Sequence, residues 1–293
     1  MATFYLSAFA DEAGTALEEQ IQALLDNNIR FIEPRNIGGK AILALTEAEL
    51  KEVRLALDRN GIKVNSLGSP IGKYKIEDDF KTHLKDFDKA LLACELLGTD
   101  KMRMFSFYVK QEELAKYRDE VIARLNEMVR LAKAHGITLC HENESEIYGQ
   151  MPEEVKDLLT NVDGLYGIFD AANYRMNNGD VMDGIEATLL NFAYLHIKDA
   201  HFASQTILPA GEGEGRVGEI IDIVNDRFDG DVYLTLEPHL FGFAAYQDID
   251  NHELKGKYKF NSNREAFDFA ANALKTLLEK HGYREVGVGV WKK

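Results

Sequence analysis

Eight short apolar runs, each followed by a segment with helical spacing, extend through the whole chain. Apolar residues that recur every three or four positions indicate an amphipathic helix, and a short apolar run between turn residues indicates a buried strand. The pattern predicts strands at residues 4–9, 30–35, 62–67, 101–107, 137–144, 166–170, 194–199 and 232–239. It predicts helices at residues 16–25, 46–60, 79–97, 111–135, 185–190, 217–228 and 264–281, and one more that starts at Pro152. Strands that alternate with helices imply parallel βαβ units.

Eight such units in a chain of 293 residues predict one (β/α)₈ TIM barrel, an α/β fold whose single domain spans residues 1–293. No Gly-rich dinucleotide-binding fingerprint follows the first strand, which argues against a doubly wound nucleotide-binding sheet. The connection at residues 240–263 is longer than most strand-to-helix loops and mixes aromatic with charged residues. Because long loops in compact domains often cover active sites, we predict that it is a lid.

Acidic or histidine side chains stand at the carboxyl ends of four successive predicted strands. They are Glu142, Asp170, His196 and Glu237. The active site of a barrel of this kind lies at that end of its strands. Three carboxylates that converge there repel one another unless a cation neutralises them. An imidazole with three carboxylates suits one divalent ion, namely Mn²⁺, Co²⁺, Zn²⁺ or Mg²⁺. The set therefore predicts a metal site, although any one of these residues alone is better interpreted as a solvated or salt-bridged rim residue.

The motifs at these strand ends resemble the family of sugar phosphate isomerases and epimerases, the xylose-isomerase-like barrels. They are Cys140-His141-Glu142-Asn143-Glu144, Phe169-Asp170-Ala171-Ala172-Asn173, Leu195-His196-Ile197-Lys198-Asp199 and Leu236-Glu237-Pro238-His239. The resemblance covers nearly the whole chain and includes a loop after the third strand, Ser69-Pro70-Ile71-Gly72-Lys73. It implies that the four strand-end residues are the ligands of one divalent ion, and that Glu142 and Glu237 are also the catalytic proton-transfer pair.

The expected activity is that of a metal-dependent sugar isomerase or epimerase. Moving a hydrogen next to a ketone requires removal of a C–H proton and stabilisation of the resulting enediolate, which a metal can assist. Two carboxylates on opposite faces of one carbon give epimerisation, because one removes the proton and the other returns it. These requirements account for the residue types at the strand ends.

Three other functions compete with this one. Ketose 3-epimerases of the family have a His three residues after the Asp and an Arg six residues after the metal-ligating His, whereas this chain has Asn173 and Phe202. A metal-dependent dehydratase of a keto-polyol, such as a keto-inositol, is therefore the alternative. An abasic-site endonuclease needs additional His ligands that the third and fourth strands lack. A non-catalytic sugar-binding barrel is expected to have lost carboxylates that are intact here.

Five further residues are predicted to bind the substrate, because they are polar side chains near the same strand ends. They are Asn173, Lys198, His239, Arg103 and Lys73. A salt bridge is the equal alternative for Lys198, and a solvated turn is the alternative for Lys73. Glu33, Arg35 and Arg103 share inward parity on the second and fourth strands, where they form either a pocket lining or a structural ion network.

Composition limits the partners. The formal net charge is −15, which opposes binding to nucleic acid or to an anionic membrane. No apolar run reaches membrane-spanning length, and the chain starts with a strand pattern instead of a signal peptide. Cys94 and Cys140 are predicted to be reduced core thiols, as expected in the cytoplasm. The expected partner is a small sugar or polyol, and a homo-oligomer is compatible with the sequence.

Two remaining features are assigned structural roles. The acidic side chains of the segment Gly211-Glu212-Gly213-Glu214-Gly215 repel anions, so its glycines are predicted to serve a tight turn or a close backbone approach and not a phosphate. Histidines in helix or loop patterns are predicted to be solvated, and these are His83, His135, His252 and His281.

Overall fold

The structure is a computed structural model that describes residues 1–241 and 258–293. Its central strands are β1 (Ala2–Ala8), β2 (Phe31–Ile32), β3 (Lys63–Val64), β4 (Lys101–Met104), β5 (Thr138–Glu142), β6 (Leu165–Asp170), β7 (Phe192–Ile197) and β8 (Gly230–Leu236). The helices are α1 (Leu17–Asp26), α2 (Glu47–Arg59), α3 (Phe80–Leu97), α4 (Leu114–Ala134), α5 (Pro152–Asn161), α6 (Ala171–Met176), α7 (Val181–Thr188), α8 (Val217–Arg227) and α9 (Asn263–Lys280).

The central strands are parallel and pair in a ring. β1 pairs with β2 on one side and with β8 on the other, and β4 to β8 pair in chain order. β2 pairs with β3, and a parallel bridge between Leu67 and Met102 links the chain after β3 to β4. This arrangement confirms the predicted α/β TIM-barrel fold, in which all eight carboxyl ends point to the same side.

The shortest strands differ most from the prediction. The pattern predicts residues 30–35 and 62–67 as strands, whereas β2 and β3 contain two residues each. Pro34 has no N–H to donate, which explains why the ladder of β2 stops before it. Beyond that point the chain forms a small antiparallel pair, Asn36–Ile37 with Lys40–Ala41. The predicted strands therefore extend into loops that carry side chains to the rim.

Helix ends follow local chemistry. In α2, Thr46 and Glu49 form the predicted capping box, with the Glu49 N–H donating to Thr46 Oγ1 at 3.3 Å and the Thr46 N–H donating to Glu49 Oε2 at 2.8 Å. α7 begins four residues before the predicted start at 185, because Asp180 caps its first turn. The short helix α6 was not predicted, since six residues give too little periodicity to recognise.

A C-terminal β-hairpin extends the sheet next to β1. Its strands are Arg284–Gly287 and Val290–Lys292, and the second pairs antiparallel with β1 at Phe4 and Tyr5. β2 pairs with β1 only at Ser7 and Ala8, so the hairpin occupies the edge that the short β2 leaves open. Its turn residue Gly289 has φ +68°, and a Cβ there would lie 2.4 Å from a backbone oxygen. Sequence patterning did not predict this element.

Beneath the ends of β5, β6 and β7 the interior contains a small apolar cluster. Cys140, Ile168 and Tyr194 form a small buried cluster against which Tyr233 packs. Each of the first three lies two residues before a strand-end ligand candidate on β5, β6 or β7, and therefore on the same face of its strand. Cys94 and Cys140 are buried, unpaired thiols, as predicted, and burial raises the pKa of both.

The assignment of residues 1–293 to one domain remains a prediction, as does the lid at 240–263, because residues 242–257 lie outside the described residues. Among the helices that the structure does describe, none is long and apolar enough to cross a membrane.

Candidate active site

The four ligand candidates predicted from the sequence come together at one point of the barrel rim. Glu142 and Asp170 are the last residues of β5 and β6, His196 is the last but one of β7, and Glu237 follows β8. One ligand atom from each lies within 4.8 Å of the others. All four residues are buried, and none has more than 3% of its surface exposed. Polar side chains from the ends of four strands thus converge at one buried site.

His196 is the centre of this cluster. Its Nδ1 lies 2.9 Å from Glu142 Oε1 and 3.6 Å from Glu237 Oε2. On the other side of the ring, Nε2 lies 3.3 Å from Glu33 Oε2. The Phe9 ring packs against the imidazole in a T-shaped arrangement at a centroid distance of 5.1 Å. Only Nδ1 therefore faces the other ligand candidates.

Backbone and amide contacts align the ends of β5 and β6. The Asn143 amide donates to the Asp170 carbonyl oxygen at 3.0 Å and accepts from the Asp170 N–H at 2.9 Å. The Asn173 N–H donates to Asp170 Oδ1 at 3.0 Å, and its side-chain amide donates to the Asn143 carbonyl oxygen at 2.8 Å. The same amide lies 3.5 Å from Glu142 Oε1. Asn173 thus holds two ligand candidates in register from α6, and the sequence did not reveal the matching role of Asn143.

Two arginines, Arg103 in β4 and Arg35 in the loop after β2, pair with carboxylate oxygens of Glu142 and Glu237. Arg103 Nη1 lies 3.2 Å from Glu142 Oε2, and Arg35 Nη1 lies 2.9 Å from Glu237 Oε1. Both guanidinium groups lie against the Phe9 ring, at 4.3 Å for Arg35 and 4.9 Å for Arg103. The inward parity predicted for Arg35 and Arg103 is therefore seen, and each forms an ion pair at the rim.

A second group of acids surrounds Arg35. Its Nε lies 2.9 Å from Asp11 Oδ2, and its Nη2 lies 2.8 Å from Glu12 Oε1. His239 Nε2 lies 3.3 Å from both Glu12 Oε1 and Glu237 Oε1. Glu12, Glu237 and His239 are close enough to hold a cation, but the Arg35 guanidinium already supplies positive charge between Glu12 and Glu237. Asp11 and Glu12 were not among the predicted site residues, although they lie just after the carboxyl end of β1.

Lys198 and Lys73 are both paired. Lys198 Nζ lies 3.1 Å from Asp170 Oδ2 and 3.5 Å from Glu237 Oε2, so it lies inside the cluster. Lys73 Nζ lies 2.9 Å from Glu144 Oε2 and over the Phe105 ring at 4.5 Å. The salt-bridge alternative considered for Lys198 is thus present, and the Lys73 loop reaches the same rim.

Ionisation of Glu142 and Asp170 differs because their neighbours differ. Burial opposes ionisation of Glu142, but His196 and Arg103 outweigh it and lower its pKa to about 2. Burial raises the pKa of Asp170 to about 6, because Lys198 offsets only part of the desolvation. Glu142 is therefore ionised at neutral pH, while Asp170 exchanges a proton more readily.

The other two members of the cluster, His196 and Glu237, are also ionised. Burial would lower the pKa of His196, but Glu142 and Glu33 raise it to about 10. Burial opposes ionisation of Glu237, yet Lys198 and His239 hold its pKa well below the usual range. The His196 imidazolium is thus one of the cations that keep these carboxylates together.

The glycine-rich segment after β7 binds an internal carboxylate. The N–H groups of Gly211 and Gly213 donate to Asp199 Oδ2 at 3.0 Å each, and the Gly215 N–H donates to Asp199 Oδ1 at 2.8 Å. A Cβ on Gly213 would lie 2.3 Å from Asp199 Oδ1. The predicted close backbone approach is confirmed.

The environment of His83 differs from the predicted one. It was predicted to be solvated, but it is only 2% exposed and packs between Tyr74, Phe80 and Phe107. Its Nε2 accepts a hydrogen bond from the Gly72 N–H at 3.1 Å. Burial, together with Arg124, lowers its pKa to about 4. His83 therefore supports the loop before Lys73 as a neutral imidazole. His252 lies outside the described residues.

The cluster fits a divalent cation by the chemistry of its donors. Carboxylate oxygens are hard ligands, and an imidazole nitrogen is a ligand of intermediate softness. One such atom from each of the four residues is close enough to the others for all four to bind one ion. Asp170 Oδ2 is buried and accepts no hydrogen bond from the described residues, although it lies 3.1 Å from Lys198 Nζ. A buried carboxylate oxygen in this state is available as a ligand.

The family model for the xylose isomerase-like TIM barrel matches residues 21–253. The chain belongs to this family. Among solved structures it is similar to D-psicose 3-epimerase from Clostridium cellulolyticum H10, with a TM-score of 0.72 and 13% identity over 94% of this chain and 99% of that one. It is also similar to the zinc-bound IolI protein, with a TM-score of 0.71, 13% identity and the same coverage of both chains.

A third similar structure is a probable 3-DHS dehydratase, AsbF of Bacillus anthracis, with a TM-score of 0.69, 17% identity, and coverage of 94% of this chain and 99% of that one. At these identities the likeness establishes the fold alone. A sequence search of curated proteins found no match.

Proposed function

We propose that the protein is a divalent-metal-dependent sugar isomerase or epimerase that moves a proton next to a carbonyl carbon. The observation that supports this most is the single cluster of strand-end ligand candidates, Glu142, Asp170, His196 and Glu237. A divalent ion held by these four residues would stabilise the negative charge that develops on the substrate oxygens as the proton leaves. Similar structures include a ketose 3-epimerase and a zinc-bound barrel, which agrees with this chemistry.

In this proposal Glu142 and Glu237 transfer the proton. They come from the ends of β5 and β8, the first and last of the four strands that carry the cluster, so they reach a shared substrate from different directions. Their low pKa values keep both ionised at neutral pH, which is the form that accepts a proton. One carboxylate removes the proton from one face of the carbon, and the other returns a proton to the opposite face.

The surrounding cationic and polar side chains orient the substrate. Lys198 Nζ lies within 3.5 Å of both Asp170 and Glu237, so it is placed to donate to a substrate oxygen next to the ligand cluster. Arg103, Asn173 and His239 contact the ligand carboxylates directly. Lys73 contacts the substrate at the outer edge of the site. The substrate is a small sugar or polyol, and the buried, unpaired thiols agree with a reducing cytoplasmic setting.

A metal-dependent dehydratase is the second candidate. Asn173 stands where ketose 3-epimerases of the family have a His, and one similar structure is a probable dehydratase. The first step would be the same removal of a proton next to a carbonyl. The two reactions then differ in whether a proton returns to the carbon or a neighbouring hydroxyl group leaves as water.

The test is a panel of substrates followed by NMR in D₂O. The purified protein is freed of metal, reloaded with Mn²⁺, and offered ketoses, aldoses, keto-inositols and small hydroxy-keto acids. We expect deuterium to enter one substrate at a single carbon, with formation of its isomer or epimer, and no exchange in the metal-free control. A product with a new C=C bond and loss of water would favour the dehydratase, and absence of both reactions across the panel would contradict the proposal.

A further inference from the structure

Glu33 lies on the side of the His196 ring that faces away from the other three ligand candidates, and it contacts two residues of β7. It is completely buried. The Tyr194 hydroxyl donates to Glu33 Oε1 at 2.9 Å, and His196 Nε2 lies 3.3 Å from Glu33 Oε2. Tyr194 and His196 are two residues apart on one strand and therefore present their side chains on the same face. The two oxygens of Glu33 thus have separate partners.

The chemistry of a carboxylate determines which imidazole nitrogen carries hydrogen. A carboxylate accepts hydrogen bonds and cannot donate them. A hydrogen bond between His196 and Glu33 therefore requires hydrogen on Nε2. In the neutral ring that leaves a bare lone pair on Nδ1. Nδ1 is the nitrogen that faces Glu142 and Glu237, at 2.9 Å and 3.6 Å.

We propose that Glu33 is a positioning residue that holds His196 in its Nε2–H tautomer, so that Nδ1 is available as a metal ligand. The inference rests on the proposed metal site and assigns a residue beyond the four ligands. The His196 side chain has no exposed surface, so water is not available to replace Glu33 as the acceptor. The T-shaped contact with the Phe9 ring further restricts rotation of the imidazole. Partners of this kind commonly fix the orientation and tautomer of metal-ligating histidines.

Replacing Glu33 by Gln changes the chemistry with almost no change in shape. If the Tyr194 hydroxyl continues to donate to the side-chain oxygen, the new NH₂ group faces His196 Nε2. The amide then donates to Nε2, and the imidazole hydrogen moves to Nδ1, where it points at Glu142. A metal ion cannot bind a nitrogen that carries hydrogen, so the substitution should block the ligand position through the tautomer alone.

Tyr194 provides the matched control. In Tyr194→Phe, Glu33 still accepts from His196, so metal affinity should stay within a factor of about three of the wild-type value. In the double variant Glu33→Gln/Tyr194→Phe, no phenol requires the amide oxygen, and the Gln side chain can turn its oxygen towards His196 Nε2–H. The double variant should therefore bind metal more tightly than Glu33→Gln, which is the opposite of what two additive losses of packing would give.

The experiment uses Zn²⁺ with the full chain. Calorimetric titration gives the affinity of each variant, and long-range ¹H–¹⁵N spectra of ¹⁵N-histidine-labelled, zinc-loaded protein report which nitrogen of His196 carries hydrogen. We expect a loss of about 10–100-fold for Glu33→Gln, recovery of most of that loss in the double variant, and Nε2–H in wild-type and Tyr194→Phe protein.

Each outcome has one meaning. Wild-type affinity with an Nε2–H signal in Glu33→Gln would overturn the inference, and so would equal weakening of the single and double variants. In both cases the proposed metal-dependent function would stand. If wild-type protein failed to bind Zn²⁺ at all, the proposed function itself would be wrong, and the role of Glu33 would fall with it.

Discussion

Replacement of Arg35 by Met should destabilise the fold, because this one guanidinium forms ion pairs with three buried carboxylates. Its side chain is 4% exposed and pairs with Asp11, Glu12 and Glu237 at 2.8–2.9 Å. A charged hydrogen bond is worth about 1.5–3 kcal/mol, so loss of three would cost about 5–9 kcal/mol if nothing replaced them. Met has a similar length, and packing against Phe9 is largely kept.

The expected cost is smaller, because other groups still contact the carboxylates. Asn36 donates to Asp11 at 2.8 Å, the His239 N–H donates to Glu12 at 2.6 Å, and Lys198 lies near Glu237. We therefore expect a loss of about 3–5 kcal/mol, the usual cost of breaking a buried ion pair. The unfolding entropy of a chain of this length is about 0.6 kcal/mol per kelvin, which converts this loss into a Tm decrease of about 5–8 °C.

Thermal and denaturant unfolding of the metal-free protein at two pH values measures this effect. Without Arg35 the folded-state pKa of the buried acids rises, so the variant's deficit should be largest at pH 8 and smaller at pH 5, where protonation removes the unpaired charge. Arg118→Met is the matched control, because its ion pair with Asp157 is 39% exposed on the Arg side and should contribute less than about 1 kcal/mol. A Tm change for Arg35→Met no larger than that of the control, or a deficit independent of pH, would refute the reasoning.

Three further predictions follow from other parts of the structure. Gly72→Ala should destabilise the fold by more than about 3 kcal/mol in denaturant unfolding, because Gly72 has φ +89° and a Cβ would lie 1.9 Å from the Phe105 carbonyl oxygen. His83→Gln should reduce the acid sensitivity of the fold. Because the folded state lowers the pKa of His83 from 6.5 to about 4, stability is lost as pH falls through that window, by about 3 kcal/mol in all. Glu142→Gln and Glu237→Gln should each lower turnover at restored metal occupancy by about 10²–10⁴-fold, as measured by product formation on the substrate identified by NMR.

Matched variants separate the proposed causes. Gly61 has φ +66° and no atom within 4 Å of a built Cβ, so Gly61→Ala measures backbone strain without a clash and should cost only about 1–2 kcal/mol. An equal cost at Gly72 would contradict the clash. If wild-type and His83→Gln protein lost stability in parallel between pH 6.5 and 4, burial of a neutral His83 would be the wrong explanation. Glu95→Gln removes a surface carboxylate and should leave turnover unchanged, whereas near-wild-type turnover in either metal-loaded active-site variant would assign proton transfer to other groups.

The cluster of ligand candidates could be predicted because a parallel strand gives its last residue a definite direction. Once eight strands are recognised, acids and histidines at strand ends are expected at one rim, and Glu142, Asp170, His196 and Glu237 are found there. The same rule applied to β1 would have selected Asp11 and Glu12. They were missed because a strand running into Ala-Asp-Glu resembles an ordinary solvated turn, and only the long-range contact with Arg35 reveals their burial.

Other features depend on contacts that no local pattern contains. His83 occupies one position of a polar-looking helix, and its burial depends on the loop at Gly72 and on Phe107. The C-terminal hairpin at residues 284–292 pairs with β1 from the other end of the chain. The pairing of Glu33 with His196 joins residues 163 positions apart. Side-chain parity predicted that Glu33 points inward, but the choice of partner required the closed ring of strands.

The balance of charge supports the proposal that the rim binds a divalent ion. In the described part of the chain, six buried carboxylates face three buried permanent cations around the cluster; the acids are Asp11, Glu12, Glu33, Glu142, Asp170 and Glu237, and the bases are Arg35, Arg103 and Lys198. The excess of three negative charges is reduced to two by the His196 imidazolium, whose pKa is raised to about 10. If a divalent ion binds in exchange for the Nδ1 proton, the excess falls to one negative charge. Because unpaired buried charge is costly, the same acids that strain the metal-free rim favour the metal-bound one.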